Sequence, residues 1–187
     1  MTILPIRITG DPVLHSKAQE VAEISPEIKA LISDMFETME AAPGVGLAAP
    51  QIGVALRIFV YDYEYEEQRL RGVAINPQLE ISEIEAGEPD MESESEGCLS
   101  IPTERFPLKR AAKGILTALD ESGNTYTLEV SGWMARIFQH ELDHLDGVLY
   151  ADRLLEPYAS ELKQAIEDYG WGVPGISWLP GEDDLEP

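Results

Sequence analysis

A chain of 187 residues, 44% of them apolar, is long enough for one domain with a real core. Its formal charge of −22, from 35 acidic and 13 basic residues, argues against a nucleic-acid surface and against anionic membranes. There is no apolar run of membrane-spanning length and no secretory-type amino terminus, and a single cysteine cannot form an internal disulfide. The expectation is therefore a cytoplasmic protein with neither membrane nor nucleic acid among its partners.

The opening stretch, with Ile3, Leu4, Ile6 and Ile8, reads as extended until Gly10-Asp11-Pro12 turns it. A helix follows: Ser25 suits the N-cap, Pro26 the first position, and Ile28, Leu31, Ile32, Met35, Phe36 and Met39 form one apolar stripe ending near Ala42. The segment Gly44-Val45-Gly46-Leu47-Ala48-Ala49-Pro50-Gln51 is small and glycine-rich. It lacks the lysine and setting of a phosphate loop, and fits either a tight turn or backbone lying close to a ligand.

Ala55 to Tyr61 reads as a buried strand, Asp62 to Arg71 as an exposed acidic connection, and Gly72 to Ile75 and Leu79 to Ala86 as short strands. Gly87 to Ser95 reads as loop. Gly114 to Asp120 and Tyr126 to Val130 alternate around Glu121-Ser122-Gly123-Asn124, a hairpin pattern. Past Pro157, Tyr158, Leu162, Ile166 and Tyr169 mark a last helix. The division expected is a catalytic domain over 1–170 and a Trp/Pro/Gly-rich, acidic extension over 171–187, its aromatics packed on the body and its final residues disordered. Strands first and the site helix later make the class α+β.

The chemistry concentrates in Gln139-His140-Glu141-Leu142-Asp143-His144, which holds two of the three histidines. On a helix from Trp133 to Asp146 the two imidazoles lie about 40° apart and one turn separated, so both reach one metal ion. Gly147 is the expected stop. Glu141 points to a neighbouring part of that surface, suited to moving protons rather than to ligation. A catalytic metal needs a third protein ligand and a coordination position left open. Cys98, in Glu96-Gly97-Cys98-Leu99-Ser100, supplies one if a neighbouring strand brings it there. A nucleophilic Cys–His arrangement is the competing chemistry, but it makes little use of the second histidine.

Together, Gly44 to Gln51, Glu96 to Ser100 and Gln139 to His144 resemble, in order and separation, the three signature motifs of bacterial peptide deformylases. The resemblance covers roughly residues 1–170. It implies small antiparallel β-sheets packed around a central metal-binding helix, with Cys98, His140 and His144 as ligands and Glu141 as general acid/base. It gives the Gln51 side-chain amide and the Leu99 backbone N–H the stabilisation of the oxyanion. It makes Gly46 a close-approach glycine, has Val45 and Gly97 pair with the substrate backbone, and ties Glu96 to Arg110. Val45, Trp133 and Ile137 are the candidate walls of a methionine pocket.

The implied reaction removes the formyl group from N-formylmethionyl nascent peptides as formate. Donor chemistry alone suits zinc. The resemblance implies one ferrous ion per chain, with zinc, nickel or cobalt able to substitute. The acidic tail departs from relatives that carry a basic terminal helix docking on the ribosome, so no ribosome contact is carried over. Rival expectations are a zinc protease, a structural metal without turnover, and a metal-free binding module.

Overall fold

The computed structural model describes residues 2–65, 68–183 and 185. Successive side chains of a strand point to opposite faces, and the segment after Arg57 is apolar on both. Ile58 and Val60 face one core; Phe59 and Tyr61 face another. Such a strand needs cover on each side, and two helices provide it.

In chain order the elements are β1 (Ile6–Arg7), α1 (Pro26–Ala41), β2 (Gly46–Ala48), β3 (Ile58–Tyr65), β4 (Gln68–Ile81), β5 (Ser95–Cys98), β6 (Ile101–Pro107), β7 (Lys113–Leu119), β8 (Thr125–Ser131), α2 (Gly132–Leu145), α3 (Tyr158–Asp168) and β9 (Ser177–Trp178). Five strands form one antiparallel sheet in the order β2-β3-β4-β7-β8; β5 pairs with β6, and β1 with β9. The α+β class and the helix set among antiparallel sheets match the expectation.

Helix α1 begins where its residues dictate. The Ser25 side chain accepts the Ile28 N–H, Pro26 fills the first turn, and Ala42 closes the helix. Ile32, Met35 and Met39 are buried against Ile58, Val60, Val73 and Ile75, each contributing roughly 1.5–3 kcal/mol. Helix α2 covers the opposite face. Met134, Ala135, Ile137, Phe138 and Leu145 pack on Phe59, Tyr61, Leu116 and Val130, and the Phe138 ring meets Tyr61 at 4.9 Å and Phe59 at 5.5 Å. Gly147 follows the helix at φ 75°, the left-handed stop that glycine adopts without strain. Leu149, Tyr150, Leu154 and Leu162 form a third core with Leu108, Ile101 and Cys98, tying α3 to the β5–β6 hairpin.

Three strand expectations need correction. The acidic stretch from Asp62 to Arg71 is no simple connection, because β3 runs on to Tyr65 and pairs with β4 from Gln68 onward. Asp62 accepts from Arg69 and Arg71 across that ribbon, so charge is matched there rather than merely solvated. Gly72 to Ile75 and Leu79 belong to one strand: Asn76-Pro77 is absorbed at a register irregularity, where the Asn76 side chain bonds both backbone groups of Val21. That strand stops at Ile81, and Ser82 to Ala86 are irregular.

In the tail, Trp178 is 1% exposed and sits in the α1 core, with Trp171 packed beside it. The expectation of disorder at the extreme end falls in part on Asp184, Glu186 and Pro187, which lie outside the described residues.

Candidate metal centre

Two sheets lend an edge to the site, and α2 forms its floor. Strand β2 is the outer strand of the five-stranded sheet, and β5 carries Cys98 at its end. Cys98 Sγ lies 3.3 Å from His144 Nε2, which is 3.2 Å from His140 Nε2. The three donor atoms fall within 4.8 Å of one another. Bonds of about 2.0–2.3 Å to a tetrahedral ion put its ligands roughly 3.3–3.6 Å apart, so the cluster has the dimensions of a coordination shell.

Its electrostatics agree. Burial opposes a charge on His140, yet negative charge at Cys98 and the Glu96 carboxylate overcome it and draw the ring toward its protonated form. Burial, then the charge on His140, drive His144 far the other way. A thiol with two imidazoles is a donor set for a divalent transition metal.

Behind the ligands stands a saturated ion network. Glu96, 3% exposed, takes two bonds from Arg110 (2.8 and 3.0 Å), one from Arg136 (2.8 Å), and contacts His140 Nδ1 at 3.0 Å. Burial pushes its carboxyl up, but the bonds from His140 and Arg110 hold it far below the usual carboxylate range. Arg110 also reaches Asp143 at 2.6 Å, and Arg153 grips Asp143 from the far side. The imidazole of His140 is thus oriented by a carboxylate that is itself fixed, the arrangement that sets tautomer and basicity in metal ligands.

The face toward the cleft is sparser. Glu141 is 4% exposed, and among the described residues its Oε2 has no hydrogen-bond partner. Burial raises its pKa to about 7. A Cβ on Gly46 would stand 2.4 Å from Glu141 Oε1, so only glycine leaves room for this carboxylate. Gln51 Oε1 accepts the Ala48 N–H (2.9 Å), which fixes the amide orientation and aims Nε2 at Ser100 Oγ (3.4 Å) and Cys98 Sγ (3.8 Å).

A cleft of about 340 Å³ opens onto this cluster and brings the sequence-picked residues together. Val45, Gly46, Gln51, Gly97, Leu99, Trp133 and Ile137 line it with Cys98, His140 and Glu141; His144 lies beneath. Val45 and Trp133 stand half-exposed at its mouth, and the Val45 carbonyl already accepts the Asp62 N–H (3.0 Å). Sequence reasoning missed Arg105, Tyr63 and Arg136, which also line it. Arg136 is a charge within the apolar run of α2, explained by its pairing with distant Glu96 and its bonds to the Leu108 and Glu94 carbonyls. A larger cavity of about 690 Å³ lies against Leu142 and Asp146 and contains neither the thiol nor either imidazole.

The family model for polypeptide deformylases matches residues 3–159. The peptide deformylase of Mycolicibacterium smegmatis is 52% identical over 190 residues, covering 97% of this chain and 96% of that protein. Among solved structures, the peptide deformylase of Thermus thermophilus is 42% identical with a TM-score of 0.74, covering 89% of this chain and 94% of that one. The Synechococcus elongatus peptide deformylase in complex with actinonin is 36% identical with a TM-score of 0.75, covering 92% and 91%. With sequence, fold and a Cys/His/His cluster in agreement, the chain belongs to the polypeptide deformylase family, metal-dependent hydrolases that remove the formyl group from peptide amino termini.

Proposed function

We propose that this chain deformylates N-formylmethionyl nascent peptides with Cys98, His140 and His144 holding one ferrous ion, in a site zinc, nickel or cobalt can also occupy. The preference for iron rests on family resemblance, since the donor set by itself suits zinc. When bound, the ion supplies Lewis acidity, making water acidic enough to act as a nucleophile near neutral pH.

The residues of the chain do the rest. Glu141 takes the water's proton and hands it to the departing amine, a task suited to a carboxyl whose proton affinity is raised by burial. The Gln51 amide and the Leu99 N–H donate to the formyl oxygen as charge builds there. Val45, Gly46 and Gly97 hold the peptide as an added strand along the open edges of β2 and β5. Val45, Trp133 and Ile137 enclose the methionine side chain. Actinonin, bound in the Synechococcus elongatus relative, is expected to occupy the same cleft.

The observation that carries this reading is the buried Glu141 carboxylate, one oxygen of which has no partner among the described residues, beside the three-donor cluster at the end of the cleft. The catalytic domain spans 1–170, with 171–187 as an extension. The expected location is the cytoplasm; no helix among the described residues is long and apolar enough to cross a membrane. The test is metal quantification on anaerobically purified protein coupled to formate release from a formyl-Met peptide. Iron near one equivalent with formate release supports the reading. Cleavage of an unblocked peptide instead sinks it.

A further inference from the structure

We infer that Trp178 is a positioning residue for the reaction: its indole N–H holds the Leu99 carbonyl and thereby fixes the turn whose N–H serves the formyl oxygen. Leu99 and Ser100 form the two-residue tip between β5 and β6, where Cys98 pairs with Ile101 and the register is irregular. A tip this short cannot pair both of its own carbonyls, and both are bound from outside. Trp178 Nε1–H donates to the Leu99 carbonyl at 2.9 Å, wholly buried, and the Thr9 N–H donates to the Ser100 carbonyl at 2.8 Å.

The two donors belong to one unit. Ile6 pairs with Trp178 across β1 and β9, the Ile8 N–H bonds the Ile176 carbonyl (3.0 Å), and the Gly172 N–H bonds the Thr9 carbonyl (3.0 Å). The same tip receives Gln51 Nε2 on Ser100 Oγ (3.4 Å). Both proposed oxyanion donors are therefore anchored to a turn that the segment after residue 170 holds in place. The Leu99 carbonyl lies in the rigid peptide plane that follows Leu99, and the Leu99 N–H in the plane that precedes it. The two are joined only through φ and ψ at Leu99, so holding the carbonyl's plane narrows where that N–H can aim. Donors of this kind act only when they lie about 2.7–3.1 Å from the developing oxyanion. Without the indole, the buried carbonyl is left unsatisfied and the tip must shift to find a partner.

The inference rests on Leu99 serving as a donor, so three kinds of variant are measured in the metal-loaded enzyme. Trp178→Phe, and the benzothiophene analogue of tryptophan at position 178, remove the N–H while keeping an aromatic ring. Each should lower kcat roughly tenfold with KM and metal content unchanged, less than the ~10²–10³ of losing a donor outright. Ile176→Ala loosens the same segment without touching the Leu99 carbonyl, and should keep kcat. Replacing Leu99 by its α-hydroxy analogue turns its N–H into an ester oxygen, and should cost the full ~10²–10³. If the benzothiophene variant keeps full kcat, or Ile176→Ala loses as much at equal thermal stability, the positioning role is overturned. If the ester variant keeps full kcat, the donor reading of Leu99 itself falls.

Discussion

Two buried glutamates meet the same metal cluster and are treated oppositely. Glu96, behind His140, is surrounded by donors from Arg110, Arg136 and His140 and stays ionised. Glu141, facing the cleft, has one oxygen with no partner among the described residues and is pushed up to about 7. Depth does not separate them, since both are nearly inaccessible. Satisfaction of hydrogen bonds does: the filled environment orients His140, and the unfilled one leaves an oxygen free for the proton transfer proposed for Glu141.

The contrast breaks most sharply at Glu141. Glu141→Ala should lower kcat by ~10²–10⁴ while leaving metal content near that of the parent, as formate release and metal analysis will show. Equal metal with equal turnover would remove Glu141 from proton transfer.

Next comes the filled side. Arg110→Met leaves Glu96 and Asp143 short of a buried partner, and should cost about 3–5 kcal/mol of stability, read from denaturant midpoints. A loss no larger than a surface substitution gives would mean the network is not the anchor described here.

The smallest effect sharpens the comparison by pH. In metal-free protein the folded pKa of Glu141 lies above its usual 4.5, at about 7. Its contribution is therefore fully present below 4.5 and lost as pH rises toward 7. Glu96 has the opposite sign: its contribution is present above 4.5 and lost as pH falls below it. Glu141→Gln should thus match the parent at pH 4 and exceed it at pH 8 by on the order of 3 kcal/mol. Thermal midpoints across that range measure the difference, and a pH-independent gap would refute the assignment.

Much of this was legible in the sequence because it is local. The Ser25-Pro26 start of α1, its stripe through Met39, and the i, i+4 histidine pair all act within a few turns of backbone. The long β3–β4 ribbon was not, because its charges look like loop until Asp62 is paired with Arg69 and Arg71 across strands. Asn76-Pro77 likewise looks like a break until Val21 is seen to satisfy it. In the site, Cys98 and the histidines were picked out by chemistry, whereas Arg136 and Trp178 take their roles from partners at Glu96 and Leu99. Only the fold could supply those pairs.

The pairing of Ile6 with Trp178 also sets an order of events during synthesis. One strand of that sheet is made well before its mate, which emerges only after α2 and α3. Contacts so distant along the chain form slowly because a long loop must close first. Until that seam closes, the Leu99 carbonyl lacks its native donor, so the turn beside the metal cluster is completed only once β9 is in place.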